Sequence, residues 1–203
     1  MSPVRASTSL PPRSLSTSAR PWRTSGASPP KAGEHRTSDG ALTLAVREAG
    51  ALAGARLTAE EGGLRCELTS AGPLDEPALA AIRDRLSCRL GLDDDLAEFY
   101  RIAAADLAFR PVVARLHGYP KVKFASPVEM LCWAVLSQRT RMPVARKAKQ
   151  AIVTTCGNLV VLDGDDLWAF PELDQLLALG PEQLLELVGN ERKTRFLHGA
   201  LHR

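Results

Sequence analysis

The stretch that most constrains this chain runs from Ser126 to Ala151, SPVEMLCWAVLSQRTRMPVARKAKQA. Ser126 and Glu129 have the spacing of a capping box. Pro127 falls at the first helical position, where its missing N–H is not needed. Met130 to Leu136 are apolar all round, which predicts a helix buried on most sides. Ser137, Gln138, Arg139, Thr140 and Arg141 then break the apolar run. Pro143 restarts a helix carrying Arg146, Lys147 and Lys149. A rigid helix therefore ends in a polar, cationic loop beside a cationic helix.

The whole chain has 26 basic and 23 acidic residues, so its net charge of +3 says little about partners. The distribution says more. From Arg115 to Lys149 a single acid, Glu129, stands among Arg115, Lys121, Lys123, Arg139, Arg141, Arg146, Lys147 and Lys149. Acids gather instead at Glu60–Glu61, Asp93–Asp95 and Asp163–Asp166. A surface facing phosphates needs that asymmetry, and an extended anion such as DNA leads as the ligand. A solvated basic helix accounts for the charge alone equally well. Apolar residues make up 45% and aromatics only 5%, so a core can form and must be built mainly from Leu, Val and Ala.

Cys66, Cys88, Cys132 and Cys156 are widely spaced, with no Cys-x-x-Cys pair and no Cys/His cluster. That pattern argues against a zinc or iron–sulfur site and points to a reducing compartment. Neither a metal nor another cofactor is expected. No apolar run reaches membrane-spanning length, so no membrane partner is expected, and no secretory core segment opens the chain.

Residues 1–33 are rich in Ser, Pro, Arg and Thr and lack any acid, which predicts a disordered basic tail. A DNA tether ranks behind plain disorder, and an organelle-targeting segment last, because prolines interrupt any amphipathic helix. Residues 34–73 read as a small antiparallel sheet unit. Its strands fall at 41–46, 55–58 and 64–68, and Gly50, Gly54, Gly62 and Gly63 supply turns. Residues 74–203 read as helical, with breaks at Gly118-Tyr-Pro120, Gly180-Pro181 and Gly189-Asn190 and a turn at Asp163–Asp166. Asp93–Asp95 fit a helix start better than a metal site. The fold class expected is α+β: a small N-terminal sheet followed by an all-α part.

Few groups are arranged for chemistry. His198 and His202 are one helical turn apart, but no third ligand stands with them, and solvent-facing histidines are the commoner reading. Trp133 falls on the apolar helix, which favours a core position over a stacking platform. There is no Gly-rich phosphate loop, serine elbow or Cys–His pair.

From about Gly33 onward the chain resembles DNA glycosylases of the helix-hairpin-helix superfamily, most of all the 3-methyladenine DNA glycosylase II type. The carriers are HGYPKVKFASPVEMLCWAVLSQRT, MPVARKAKQAI and FPELDQLLALGPEQLLELVGNERKTRFL, in that order and spacing. The resemblance implies an enzyme that swings a damaged base out of the duplex and cleaves its N-glycosidic bond beside a stabilising carboxylate. It implies that the loop after the apolar helix approaches the minor groove, so that Ser137, Gln138, Arg139, Thr140, Arg141, Arg146 and Lys149 form the expected DNA-binding set. For Gln138 the competing reading is a buried amide capping the helix end.

The family's Leu-Pro-Gly-Ile-Gly-like hairpin and catalytic Asp would follow Arg203. Leu179-Gly180-Pro181 lacks the paired glycines and falls too early, and no acid in the chain matches that Asp, so no catalytic residue is assigned. The expectation is an N-terminal portion of a base-excision-repair glycosylase, inactive alone, with exposed apolar patches. The partner expected is double-stranded damaged DNA, met by a monomer at the nucleoid of a bacterial cytoplasm. The alternative is a non-catalytic DNA-binding protein or helical scaffold.

Overall fold

The computed structural model describes residues 4–10, 35–60, 63–117 and 123–203. The fold is α+β. Five strands come first: β1 (Val4–Leu10), β2 (His35–Ser38), β3 (Ala41–Glu48), β4 (Ala51–Glu60) and β5 (Gly63–Ser70). They form one antiparallel sheet in the order β1-β5-β4-β3-β2. The turns Asp39-Gly40 and Ala49-Gly50 hold both residues at positive φ, the two-residue hairpin geometry that matches strand twist.

The disorder expected of residues 1–33 does not hold for β1. These seven residues pair with β5 from Val4↔Ser70 to Leu10↔Leu64. An open edge of β5 would leave a row of backbone groups unpaired, and β1 satisfies them whatever its side chains are. That is why a Ser- and Thr-rich segment gave so little apolar signal. The other residues of the predicted tail lie outside the described residues, as does the Gly118-Tyr-Pro120 break.

One sheet face packs on α1 (Glu76–Leu90), which the Asp75 carboxylate starts by accepting from the Ala78 N–H at 2.9 Å. Ile82, Leu86 and Leu90 meet Leu44, Val46, Leu57, Cys66 and Leu68. Ile82, Leu86 and Leu90, spaced four residues apart, form the one helical stripe that faces this core, each full Leu burial contributing roughly 1.5–3 kcal/mol. The other face is covered by a hairpin of β6 (Leu159–Leu162) and β7 (Asp165–Trp168). Leu167 and Ala169 pack on Ala45, with Leu52, Val160 and Leu162 half-buried around them.

This hairpin is absent from the sequence reading. Only its Asp163-Gly164 turn was legible, while Asp165 and Asp166 belong to β7. Gly54 is likewise not a turn residue. It lies within β4 under the hairpin, where a Cβ would come within 3.0 Å of both Leu162 Cδ2 and Val160 Cγ1. The acids of this region answer arginines of the sheet: Arg56–Asp163 at 3.0 Å, Arg47–Glu172 at 2.8 Å, and Arg36–Asp165.

The helices that follow are α2 (Ala97–Ala105), α3 (Arg110–Leu116), α4 (Pro127–Ser137), α5 (Met142–Thr155), α6 (Leu173–Leu177), α7 (Pro181–Val188) and α8 (Glu191–Leu201). The acids at 93–95 precede α2 rather than open it, and the Asp95 carboxylate accepts from the Ala97 N–H at 2.9 Å. A second core joins Cys132 and Leu136 of α4 to Ile152, Leu176, Leu184, Val188, Leu197 and Leu201. α4 is less buried than its apolar sequence predicts. Only Glu129, Cys132 and Leu136 are fully buried, and Met130 is 54% exposed. Exposed apolar side chains concentrate on and beside α2 and α3, at Phe99, Ile102, Leu107, Phe109 and Leu116. Among the described residues, no helix is long and apolar enough to cross a membrane.

Candidate nucleic-acid interface

α4 is anchored at both ends, and its anchors set the turn that follows. At the N-terminus Ser126 Oγ accepts from the Glu129 N–H at 3.0 Å, and Glu129 Oε2 accepts from the Ala125 N–H at 2.8 Å. The capping box therefore forms, displaced by one residue on its return bond. The other carboxylate oxygen of Glu129 accepts from Lys149 Nζ at 2.5 Å.

Lys149 thus corrects the sequence reading. Expected on the DNA face, it is only 2% exposed, and its partner Glu129 only 6%. A cation so far from water must be paired, and the pair clamps α5 to the start of α4. Trp133 and Phe170 wall it, their ring centroids 6.0 and 5.6 Å from the ammonium. Trp133 is half-buried against this pair. Burial, with the Glu129 charge adding to it, pushes the nearby Cys132 thiol up to about 12.

At the C-terminus, helix geometry leaves the last carbonyls without intrahelical donors. Lys193 of α8 supplies them, its ammonium donating to the carbonyls of Val135 at 3.0 Å, Leu136 at 2.6 Å and Gln138 at 2.9 Å. A positive charge at a helix C-terminus also opposes the helix dipole. Burial lowers the pKa of Lys193 below the ordinary lysine value. The backbone of the same residue is held by the Asn190 cap, whose Oδ1 accepts from the Lys193 N–H at 3.0 Å. Sequence reasoning assigned Lys193 no role. Its only signal was its place in the NERKTRF segment just past the Gly189-Asn190 break.

The turn itself is short and tied internally. The Thr140 N–H donates to the Ser137 carbonyl at 3.2 Å, and Thr140 Oγ1 donates to the Gln138 carbonyl at 3.1 Å. Arg139 takes a left-handed backbone, φ 49°, which for a residue with a Cβ costs about 1–2 kcal/mol. Arg141 is extended and leads into α5, with Pro143 in the first turn. Gln138, Arg139 and Arg141 are exposed, while Ser137 and Thr140 are half-buried. Gln138 is therefore not the buried amide of the competing reading, and the helix end is capped by Lys193 instead.

Among the described residues, neither Arg139 nor Arg141 enters an ion pair. Arg36, Arg47, Arg56, Arg65 and Arg85 of the sheet and α1 all do. The structure thus brings Ser137 through Arg141 together at one projecting turn. It sets Arg146 half-buried on α5 and removes Lys149 from the surface. Guanidinium groups without carboxylate partners, on a turn with an exposed amide, can bind phosphates and base edges.

Other features do not join this site. A cleft of about 240 Å³ lies between β3, α1 and the N-terminus of α4, at the opposite end of that helix from the turn. Leu179-Gly180-Pro181 is a helix start, with Gly180 as N-cap and Pro181 in the first turn of α7. His198 and His202 stack with ring centroids 4.1 Å apart.

Over 108 residues the chain is 28% identical to a DNA-3-methyladenine glycosylase of Bacillus subtilis (strain 168), a match to 53% of this chain and 36% of that protein. The fold superposes on a 3-methyladenine DNA-glycosylase from Archaeoglobus fulgidus with a TM-score of 0.66 at 22% identity, covering 83% of this chain and 58% of the other. Over part of its length the chain is thus similar in sequence to a DNA glycosylase, and it shares the fold of solved DNA glycosylases. An 8-oxoguanine glycosylase/lyase from Clostridium acetobutylicum shares the glycosylase fold at a TM-score of 0.57 and 16% identity, over 86% of this chain and 56% of that one. The same glycosylase bound to double-stranded DNA containing cytosine opposite 8-oxoG superposes with a TM-score of 0.56 at 15% identity, over the same shares of the two chains. No family model matches the sequence. The chain thus matches about a third of the length of its Bacillus relative and just over half of each solved glycosylase.

Proposed function

We propose that this chain is the DNA-gripping part of a base-excision-repair glycosylase acting on modified bases, alkylated purines first among them. The observation that carries the reading is the turn Gln138–Arg141, whose Gln138, Arg139 and Arg141 are exposed, whose arginines have no carboxylate partner among the described residues, and which Lys193 braces from behind. Kinship with 3-methyladenine glycosylases supports the substrate class. In this reading Arg139 and Arg141 neutralise phosphates on either side of a distorted site. Gln138 exchanges hydrogen bonds with the base edges left exposed when a nucleotide swings out.

Bond cleavage needs a carboxylate beside the cationic sugar. Among the described residues, no carboxylate hydrogen-bonds or ion-pairs with the turn. In this reading no acid of the sequence is assigned that part, and the chain, as a monomer, holds damaged duplex DNA without releasing bases.

Incubating the purified chain with methylated duplex DNA and measuring free bases tests the second half. Robust release overturns it. Titrating the chain against a duplex with an abasic-site analogue and against an intact duplex tests the first. Tighter, salt-sensitive binding to the abasic duplex is expected. Equal binding to both favours a non-catalytic DNA-binding scaffold, and no binding at low salt removes the DNA role.

A further inference from the structure

The buried face of α8 is Thr194, Leu197 and Leu201. Its opposite face carries Arg192, Arg195, Phe196 and Gly199, all exposed. Phe196 is 52% exposed, and the guanidinium carbons of Arg192 and Arg195 lie over its ring, 5.6 and 5.8 Å from the centroid. Among the described residues, neither arginine meets a carboxylate. Two guanidiniums are thus held on one phenyl ring and left without an anion. Lys193, next to Arg192 in sequence, reaches the Gln138 carbonyl at 2.9 Å, so the first turn of α8 abuts the Gln138–Arg141 turn.

We propose that this face of α8 is a second phosphate-binding segment, in which Arg192 and Arg195, braced by Phe196, extend the DNA contact of the turn along the duplex backbone. The inference rests on the DNA-binding reading of that turn. Guanidinium forks match phosphate oxygens, and stacking on a ring removes much of the rotamer freedom an arginine would lose on binding. Guanidiniums that meet phosphates grip the backbone without reading sequence. Gly199, with no side chain one turn further on, leaves the strand room to approach.

The test is a set of titrations of the full chain against a fluorescein-labelled duplex bearing an abasic-site analogue, between about 50 and 200 mM salt, where each phosphate contact contributes about 0.9 to the slope of log affinity against log salt. In Arg192→Gln with Arg195→Gln the slope falls by about 1.8, so wild-type affinity drops about tenfold more than the variant's across that range. Arg192→Lys with Arg195→Lys retains the wild-type slope. Phe196→Leu also retains it but binds a few-fold more weakly at every salt concentration, because the arginines lose their brace. Melting curves matching wild type show that each variant is folded. A wild-type slope in the double Gln variant, with a reduced slope in Arg139→Gln with Arg141→Gln, overturns the α8 assignment and leaves the turn's role standing. A wild-type chain that binds no duplex at any salt overturns both.

Discussion

Replacing Lys149 with methionine separates a phosphate contact from a structural clamp. The side chain lies 2% exposed, with its ammonium on Glu129, itself 6% exposed. Methionine preserves most of the volume but strands the carboxylate, which keeps only the Ala125 N–H. Removing one member of a buried pair costs about 3–5 kcal/mol. For a chain of this length that lowers Tm by roughly 6–20 °C. Circular dichroism melting reads this directly. Glu129→Gln combined with Lys149→Met removes both charges and recovers most of the loss, since a neutral pair no longer strands an ion. Measured well below its Tm, the single variant keeps the wild-type salt dependence of DNA binding. An unchanged Tm together with a salt slope reduced by about one would refute the clamp and return Lys149 to the phosphate-facing surface.

Lys193→Met withdraws the ammonium from three carbonyls at the end of α4 and costs about 2 kcal/mol, in the range of one charge-assisted hydrogen bond. Peptides spanning 137–141 then exchange amide hydrogens faster, and unaltered exchange would show that the turn holds itself. Gly54→Val drives a side chain into Leu162 and Val160 and lowers stability by about 1–3 kcal/mol in a denaturant melt, whereas a neutral result would mean the hairpin can shift. A thiol reagent near neutral pH modifies exposed Cys88 and spares Cys66 and Cys132, as mass spectrometry of digests will read, because burial pushes both thiols up to about 12. The native state therefore holds those two protons more tightly than the unfolded chain. Their contribution to stability is intact below 9.0 and is lost as pH rises from 9.0 toward about 12, so an alkaline melt with no decline in that window contradicts their burial.

Helix ends were legible because their chemistry is local. Ser126 reaches Glu129 and Asn190 reaches Lys193, each across three residues, so the spacing of residue types announces the bond. The projecting turn was legible for the same reason: an apolar helix followed by Ser-Gln-Arg-Thr-Arg can hardly continue inward. The α1 stripe followed from helical periodicity and the Asp163-Gly164 turn from its backbone demands.

Lys149 and Arg139 are both cations in one basic stretch, yet one is buried and the other projects into water. Composition cannot separate them, because the difference lies in a partner 20 residues away for Lys149. Lys193 reaches carbonyls 55 to 58 residues back, β1 closes an edge built by β5, and Gly54 answers a hairpin more than a hundred residues later. The chain by itself determined where elements begin, end and turn, since those depend on bonds within about one helical turn or hairpin. Which cations face solvent and which serve as internal clamps was decided only when distant segments packed, because burial and ion pairing belong to neighbours in space.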